Sequence, residues 1–184
     1  EIPKGVTEIY PGALMNSGLR TVYLSSTVSK VGEYAFGDKL TSLRVDRNIY
    51  ITDINGDAID SKAPVMQAEA SSVASTDYIQ INGLKSDYKI NNSTYGAFYA
   101  FANVLFRYET KVTSYHDLTL PSSINGFDIT VISSYIYPEN SVDSDMKISA
   151  RVLTLPEKLR KINANAFSGI DVTESIIYTG NALT

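Results

Sequence analysis

Pro156-Glu157-Lys158-Leu159-Arg160-Lys161-Ile162-Asn163-Ala164-Asn165-Ala166-Phe167 aligns without gaps on two earlier stretches of the chain. One is Ser25-Ser26-Thr27-Val28-Ser29-Lys30-Val31-Gly32-Glu33-Tyr34-Ala35-Phe36. The other is Pro3-Lys4-Gly5-Val6-Thr7-Glu8-Ile9-Tyr10-Pro11-Gly12-Ala13-Leu14. Apolar residues coincide at Val6/Ile9, Val28/Val31 and Leu159/Ile162, and a small-plus-large pair follows at Ala13-Leu14, Ala35-Phe36 and Ala166-Phe167. The first two copies lie 22 residues apart, inside the range of about 20–29 residues of leucine-rich repeats. One such unit cannot bury its apolar face alone, so the pattern predicts stacked turns with a continuous core and a parallel strand ladder.

A fourth copy is stretched. Leu118-Thr119-Leu120-Pro121-Ser122-Ser123-Ile124 opens it, Asn125-Gly126-Phe127-Asp128-Ile129 is inserted, and the pattern resumes at Val131-Ile132-Ser133-Ser134-Tyr135-Ile136-Tyr137. Asn-Gly favours a tight turn, so the insert bulges out without breaking the stack. Leu14 and Tyr137 stand where Phe is expected, and Ile136 where Ala is expected. These departures mark units that pack loosely or end a stack.

Short alternating segments flank the copies: Leu19-Arg20-Thr21-Val22-Tyr23-Leu24, Leu40-Thr41-Ser42-Leu43-Arg44-Val45 and Val152-Leu153-Thr154-Leu155. The L-x-x-L-x-L spacing sends Leu19, Val22 and Leu24 inward and Arg20, Thr21 and Tyr23 outward. The expected outward face comprises Arg20, Thr21, Tyr23, Thr41, Ser42, Arg44, Arg151 and Thr154. Tyr and Arg are enriched where proteins bind partners, so Arg20, Thr21, Tyr23, Ser42, Arg44, Arg151 and Thr154 form the candidate ligand-binding set. The competing interpretation is a solvated strand face.

These motifs carry a family resemblance. The pattern I-P-x-x-V-x-x-I-x-x-x-A-F followed by L-x-x-L/V-x-L resembles the BspA-like (Treponema-type) leucine-rich repeat of bacterial surface proteins. Leu120 to Ile132, with its Asn125-Gly126 insertion, resembles the longer variant of that repeat. Ser175-Ile176-Ile177-Tyr178-Thr179-Gly180 resembles its closing segment. The resemblance covers about Ile2–Val45 and Leu118–Gly180. It implies a leucine-rich-repeat solenoid with a parallel strand ladder and short helical or irregular convex segments around Tyr34–Phe36 and Ala164–Phe167. It also implies an extracellular or cell-surface, adhesin-like binding module for a protein or glycan ligand on a host or neighbouring cell. The alternative is a structural spacer unit of a larger surface protein, without a ligand of its own.

Residues between the copies do not fit the repeat. The expected organisation is leucine-rich repeats over 1–46, a β-rich or α+β segment over 47–117, and leucine-rich repeats with a closing strand over 118–184. The middle segment either separates two short arrays or opens a second domain near Ile49, and the form of Leu118 onward favours the second. Ile49 to Ile59 reads as a hairpin turning at Asn55-Gly56, and Tyr78 to Leu84 reads the same way at Asn82-Gly83. Ser61 to Thr76 reads as a mobile loop or a short helix after Pro64. Phe98, Phe101, Leu105 and Tyr108 share a helical face, so Tyr95 to Tyr108 is a buried helix or a strand pair.

Composition narrows the function. With a net charge of -4, nothing suggests the basic patches that nucleic-acid binding needs. No apolar run reaches the roughly 18–20 residues of a membrane span. Cysteine is absent, which removes disulfides, thiol catalysis and zinc–thiolate sites. No secretory leader is present, and the chain opens at Glu1-Ile2-Pro3 without a methionine, so it reads as a processed or trimmed piece. His116, the one histidine, adjoins Asp117, a pair that orients proton transfers. No G-x-S-x-G nucleophile accompanies it, and an enzyme carried by the middle segment with His116 as base is the least favoured reading. Asp143-Ser144-Asp145 matches the start of a calcium loop but lacks the following Gly and Glu. Phosphate-binding glycine loops are absent. The sequence therefore predicts no enzyme, no cofactor and no metal, and leaves the oligomeric state open.

Overall fold

In the computed structural model the described residues are 1–32, 35–36, 39–54, 71–74, 77–82, 90–93, 96–110, 114–124, 126–137 and 147–181. Among them every regular element is a β-strand and none is a helix. The first copies supply β1 (Glu8–Ile9), β2 (Thr21–Leu24), β3 (Lys30–Val31), β4 (Ser42–Asp46) and β5 (Asp53–Ile54). The middle segment adds β6 (Ser71–Ala74), β7 (Tyr78–Asn82), β8 (Ile90–Ser93), β9 (Gly96–Phe101) and β10 (Val104–Glu109). Then come β11 (Ser114–Thr119), β12 (Ser123–Ile124), β13 (Phe127–Asp128), β14 (Val131–Ile132), β15 (Ile148–Thr154), β16 (Lys161–Ile162) and β17 (Ile170–Ile177).

The repeat spacing becomes parallel pairing. β1, β3 and β5 form one short ladder, with Ile9 beside Val31 and Val31 beside Ile54. β10, β14 and β16 form a second, with Leu105, Ile132 and Ile162 in register. The leucine segments make the wider sheets: β2 beside β4, and β11, β15 and β17 side by side, all parallel. Each turn thus contributes one short and one longer strand to a β-solenoid, and the apolar column of each strand meets that of the next turn. One hydrophobic cluster runs from Ile9 to Ile170. Phe36 stacks on Phe101 (5.7 Å between centroids) and Phe98 on Tyr108 (4.6 Å).

The convex side is irregular rather than helical. Gly12 (φ 66°), Tyr135 (φ 50°) and Asn165 (φ 58°) hold the same repeat position and the same left-handed backbone. Gly and Asn accept that conformation readily, whereas a bulky side chain is unusual there. Tyr135 is held by Asn165, whose side-chain amide donates to its hydroxyl (2.8 Å). The stretched copy packs fully: Ile136, Tyr137, Phe127 and Ile129 are buried, and the insert folds as the β12–β13 hairpin, with Gly126 at φ 81°. The substitutions at Ile136 and Tyr137 therefore do not loosen their unit. Leu14, in the first turn, is only partly buried.

The middle segment corrects several expectations. Asp53–Ile54 joins β3 in parallel and continues the repeat, because Ile54 supplies the same inward position as Val31. Asn55 and Gly56 lie outside the described residues. Tyr78–Asn82 pairs antiparallel with the preceding strand β6 and with β4; Gly83 and Leu84, where the expected turn falls, lie outside the described residues. Residues 71–74 of the Ala- and Ser-rich stretch are accordingly strand rather than helix or loop; residues 61–70 are outside the described set. Of the two readings of Tyr95–Tyr108, the strand pair holds for its described part: β9 and β10 pair antiparallel around Ala102-Asn103, with β8 beyond β9. Aromatic and β-branched residues on a two-sided buried strand mimic helical spacing over so short a window.

β5 and β10 are not hydrogen-bonded as strands. Side chains of later turns satisfy the backbone of Ile51–Ile54 instead. Asn103 accepts from the Ile51 amide at Oδ1 (2.9 Å) and donates through Nδ2 to the Ile51 carbonyl (3.0 Å) and to Thr130 Oγ1 (2.9 Å). Lys161 Nζ donates to the Thr52 carbonyl (2.9 Å), and Ser133 Oγ to that of Ile54 (3.2 Å). Asn103 and Ser133 are buried, where unpaired polar groups are costly. These bonds join the first three turns to the last three.

Candidate ligand-facing strand faces

The outward positions fall on two sheets. In the first, Thr21 pairs with Ser42 and Tyr23 with Arg44 across β2 and β4. The hairpin β6–β7 then closes the far side of β4, running antiparallel, with Arg44 beside Gln80 and Asp46 beside Tyr78. In the second sheet, Asp117 pairs with Val152 and Thr119 with Thr154. The structure therefore brings Arg20, Thr21, Tyr23 and Arg44 together and places Arg151 and Thr154 apart from them on β15.

Alternation sets the exposure of most of these residues. Arg20, Thr21, Thr41 and Arg151 are exposed; Tyr23, Arg44 and Thr154 are half-buried. Ser42 departs from the expectation of an exposed position. It is 9% exposed, because β4 is an interior strand flanked by both β2 and β7 and a side chain this short does not rise above its neighbours. Leu19 departs in the other direction: expected inward, it is 44% exposed, whereas Leu40, its counterpart one turn later, is 3% exposed. No described strand lies beside β2 on the side away from β4 to cover that column.

The two faces differ in their chemistry. On the first, the Arg44 guanidinium lies 4.2 Å from the centre of the Tyr78 ring, a cation–π geometry that fixes the side chain over the sheet. The Tyr23 phenol is held above the usual tyrosine range, first by partial burial and then by the carboxylates of Asp46 and Glu1. On the second, Arg151 forks between strands: Nη2 donates to Asp117 (2.8 Å) and Nη1 to Glu174 (2.9 Å). These bonds, Glu174 foremost, raise Arg151 above the ordinary arginine range. Arg151 is thus committed to a cross-strand ion ladder, and Asp117, the expected partner of His116, is engaged by it. The side chain of His116 lies outside the described residues, as do Asp143, Ser144 and Asp145.

Sequence reasoning missed Tyr78 and Glu174, and it matched Asp117 with His116 rather than with Arg151. Glu174 was open to detection, since aligning the closing segment on β15 puts it beside Arg151. Tyr78 was not, because β7 runs antiparallel to β4 and departs from the parallel register that the repeat spacing announces. Among the described residues no group of three or more His, Cys, Asp or Glu side chains is arranged to hold a metal ion, and no helix is long and apolar enough to cross a membrane.

Comparison with known families agrees with this geometry. A family model described as the BspA type leucine rich repeat region matches six copies over residues 1–63 and 69–182. The chain belongs to the BspA-type leucine-rich-repeat family. No curated protein and no solved structure matches the chain significantly. BspA-type repeats serve as protein-interaction modules, and leucine-rich-repeat families are generally non-enzymatic.

Proposed function

We propose that the chain is a secreted or cell-surface bacterial binding module, adhesin-like in action, that contacts a protein or glycan ligand on a host or neighbouring cell through the β2–β4 face. The supporting observation is the contrast between the two outward faces. Arg20 and Tyr23 make no side-chain hydrogen bond or ion pair among the described residues, whereas Arg151 is held by two carboxylates. A ligand that reaches Arg20 and Tyr23 gains polar contacts there without displacing the carboxylates that hold Arg151 on the other face. Thr21, Tyr23 and Arg44 form the contact patch, with Arg20 at its edge; Ser42 supports it from below, and Arg151 and Thr154 belong to a second, self-satisfied surface. In this reading residues 1–46 and 118–184 carry the repeat faces and residues 47–117 separate them, and the protein is not an enzyme.

The test is a screen of the purified chain against glycans and host surface proteins, followed by Tyr23→Ala and Arg44→Ala on any ligand found. Each substitution is expected to weaken binding by about 10-fold or more, the usual effect of truncating a Tyr or Arg anchor. Unchanged affinity in a folded variant rejects the face. A screen without a reproducible ligand favours the spacer reading.

A further inference from the structure

Tyr135 stands where the backbone does not favour a tyrosine. It lies in the left-handed region at φ 50°, sharing a repeat position with Gly12 (φ 66°) and Asn165 (φ 58°). Gly12 shows that the turn closes with no side chain there. A bulky residue in this region is strained and persists only where its surroundings hold it. The core does not supply the reason. Ile136 and Tyr137, the next two residues, fill the interior of this turn, whereas Tyr135 is 47% exposed. Nor does the exposure come from a missing neighbour, because the turn is stacked on both sides. The Tyr108 amide donates to the Ile136 carbonyl, and the Tyr135 and Ile136 amides donate to the carbonyls of Asn165 and Ala166 (3.2 Å each).

The ring is exposed and yet fixed. Asn165 Nδ2 donates to its hydroxyl (2.8 Å), and Asn165 is itself anchored, since its carbonyl accepts from the amides of Tyr135 and Ser168 (3.2 Å each). Hydrogen-bonding capacity remains. The phenol keeps its proton to donate, and Asn165 Oδ1 meets no partner among the described residues. The flanking residues Ser134, Asn163, Ala164 and Ser168 carry no charge. A carboxylate or phosphate would find no cation in these two stretches, and a purely aliphatic ligand would cover the amide without pairing it. A pyranose suits both features. Its C–H face packs on the aromatic ring, and its hydroxyls bond the amide and the phenol. Because the ring is already pinned, little side-chain freedom is lost on binding.

We infer that Tyr135 and Asn165 form a saccharide site on the convex side of the solenoid. It takes a neutral hexopyranose, with the C–H face of the sugar on the Tyr135 ring and its hydroxyls on Asn165. The site is separate from the β2–β4 face and does not rest on the reading of that face.

The 184-residue chain has 13 tyrosines, so the test uses ring-labelled tyrosine and nuclear magnetic resonance, with Tyr135→Phe assigning the Tyr135 signal. Lactose, cellobiose, mannobiose and chitobiose are titrated to millimolar concentration, and at least one is expected to shift that signal. Tyr135→Asn and Asn165→Gly both install residues that accept the left-handed backbone, and circular dichroism checks their folding. Tyr135→Asn should weaken binding of the active sugar by about 10-fold or more, the usual effect of losing a tyrosine anchor. Asn165→Gly should weaken it several-fold through lost hydrogen bonds, and it carries the test should Tyr135→Asn disturb folding. Tyr23→Ala should leave this binding unchanged. If none of the four sugars moves the Tyr135 signal, the inference is overturned. It is equally overturned if the folded variants bind as the parent does, or if Tyr23→Ala weakens binding as much as Tyr135→Asn. Sialyllactose or decaproline shifting the signal where the neutral sugars do not also overturns it, since the site would then serve an acidic sugar or an extended peptide.

Discussion

Within each half of the molecule, neighbouring turns are joined by main-chain bonds; between the halves they are joined by side chains. The Thr7 carbonyl accepts from Ser29 and Lys30, and the Thr130 carbonyl from Arg160 and Lys161, in the manner of any parallel ladder. At the boundary, Asn103, Ser133 and Lys161 reach the backbone of Ile51–Ile54 instead. A ladder bond depends on spacing alone and tolerates almost any side chain. A side-chain bond depends on one residue type at one position. The boundary is therefore the place where a single substitution should act most strongly.

Asn103→Ala gives the largest expected effect. It leaves the buried Ile51 amide and carbonyl without partners and removes the Thr130 contact. At about 1–3 kcal/mol for each buried group left unsatisfied, the loss is roughly 2–6 kcal/mol. Denaturant unfolding measures it, and hydrogen exchange locates it: amides of β1, β3 and β5 should lose protection before those of β11, β15 and β17. A loss below about 1 kcal/mol, or uniform loss of protection, would show that core packing alone holds the halves together.

The ladders and the boundary were not equally legible in the sequence. Ile9, Val31 and Ile162 announce their columns because stacking demands an apolar residue at a fixed interval. The same logic placed Arg20, Thr21 and Tyr23 outward. It failed at Ile54, where an Asn-Gly pair drew attention to a hairpin and hid a third repeat strand. It failed at Ser42 and Leu19 because periodicity assigns a face but does not say which turn lies at the edge. Asn103 was out of reach: its role depends on Ile51 and Thr130, which are distant in sequence and meet only once the chain has folded. Arg151 was assigned to a binding face because its type and position suit one; its partners Asp117 and Glu174 come from adjacent turns, and pairing across a sheet follows only once the register is known.

Breaking the ion ladder should matter much less. Arg151 and both carboxylates are exposed, and exposed ion pairs contribute little because water and salt screen them. Arg151→Ala is expected to leave the melting temperature essentially unchanged at physiological salt. It should also leave ligand binding at the β2–β4 face untouched, since its effect is confined to the other sheet. A clear fall in thermal stability would make the ladder a structural element on a par with the boundary, and the contrast between the two kinds of join would fail.

The smallest effect distinguishes the two faces by titration. Tyr23 is held above the ordinary tyrosine range by partial burial and by Asp46 and Glu1. A group whose pKa is raised on folding contributes stability below its unfolded value, near pH 10, and loses that contribution as pH climbs through the folded value. Tyr23→Phe should therefore remove one late step from the ultraviolet titration of the tyrosines and flatten the fall in stability above about pH 10. Asp46→Asn in the parent chain should move the same step towards the ordinary range, because it deletes one of the repelling carboxylates. If Asp46→Asn, and with it removal of the Glu1 and Asp77 carboxylates, leaves the step in place, burial alone sets the shift. The β2–β4 face is then defined by desolvation rather than by charge, and an apolar or neutral ligand surface becomes the better match for Tyr23.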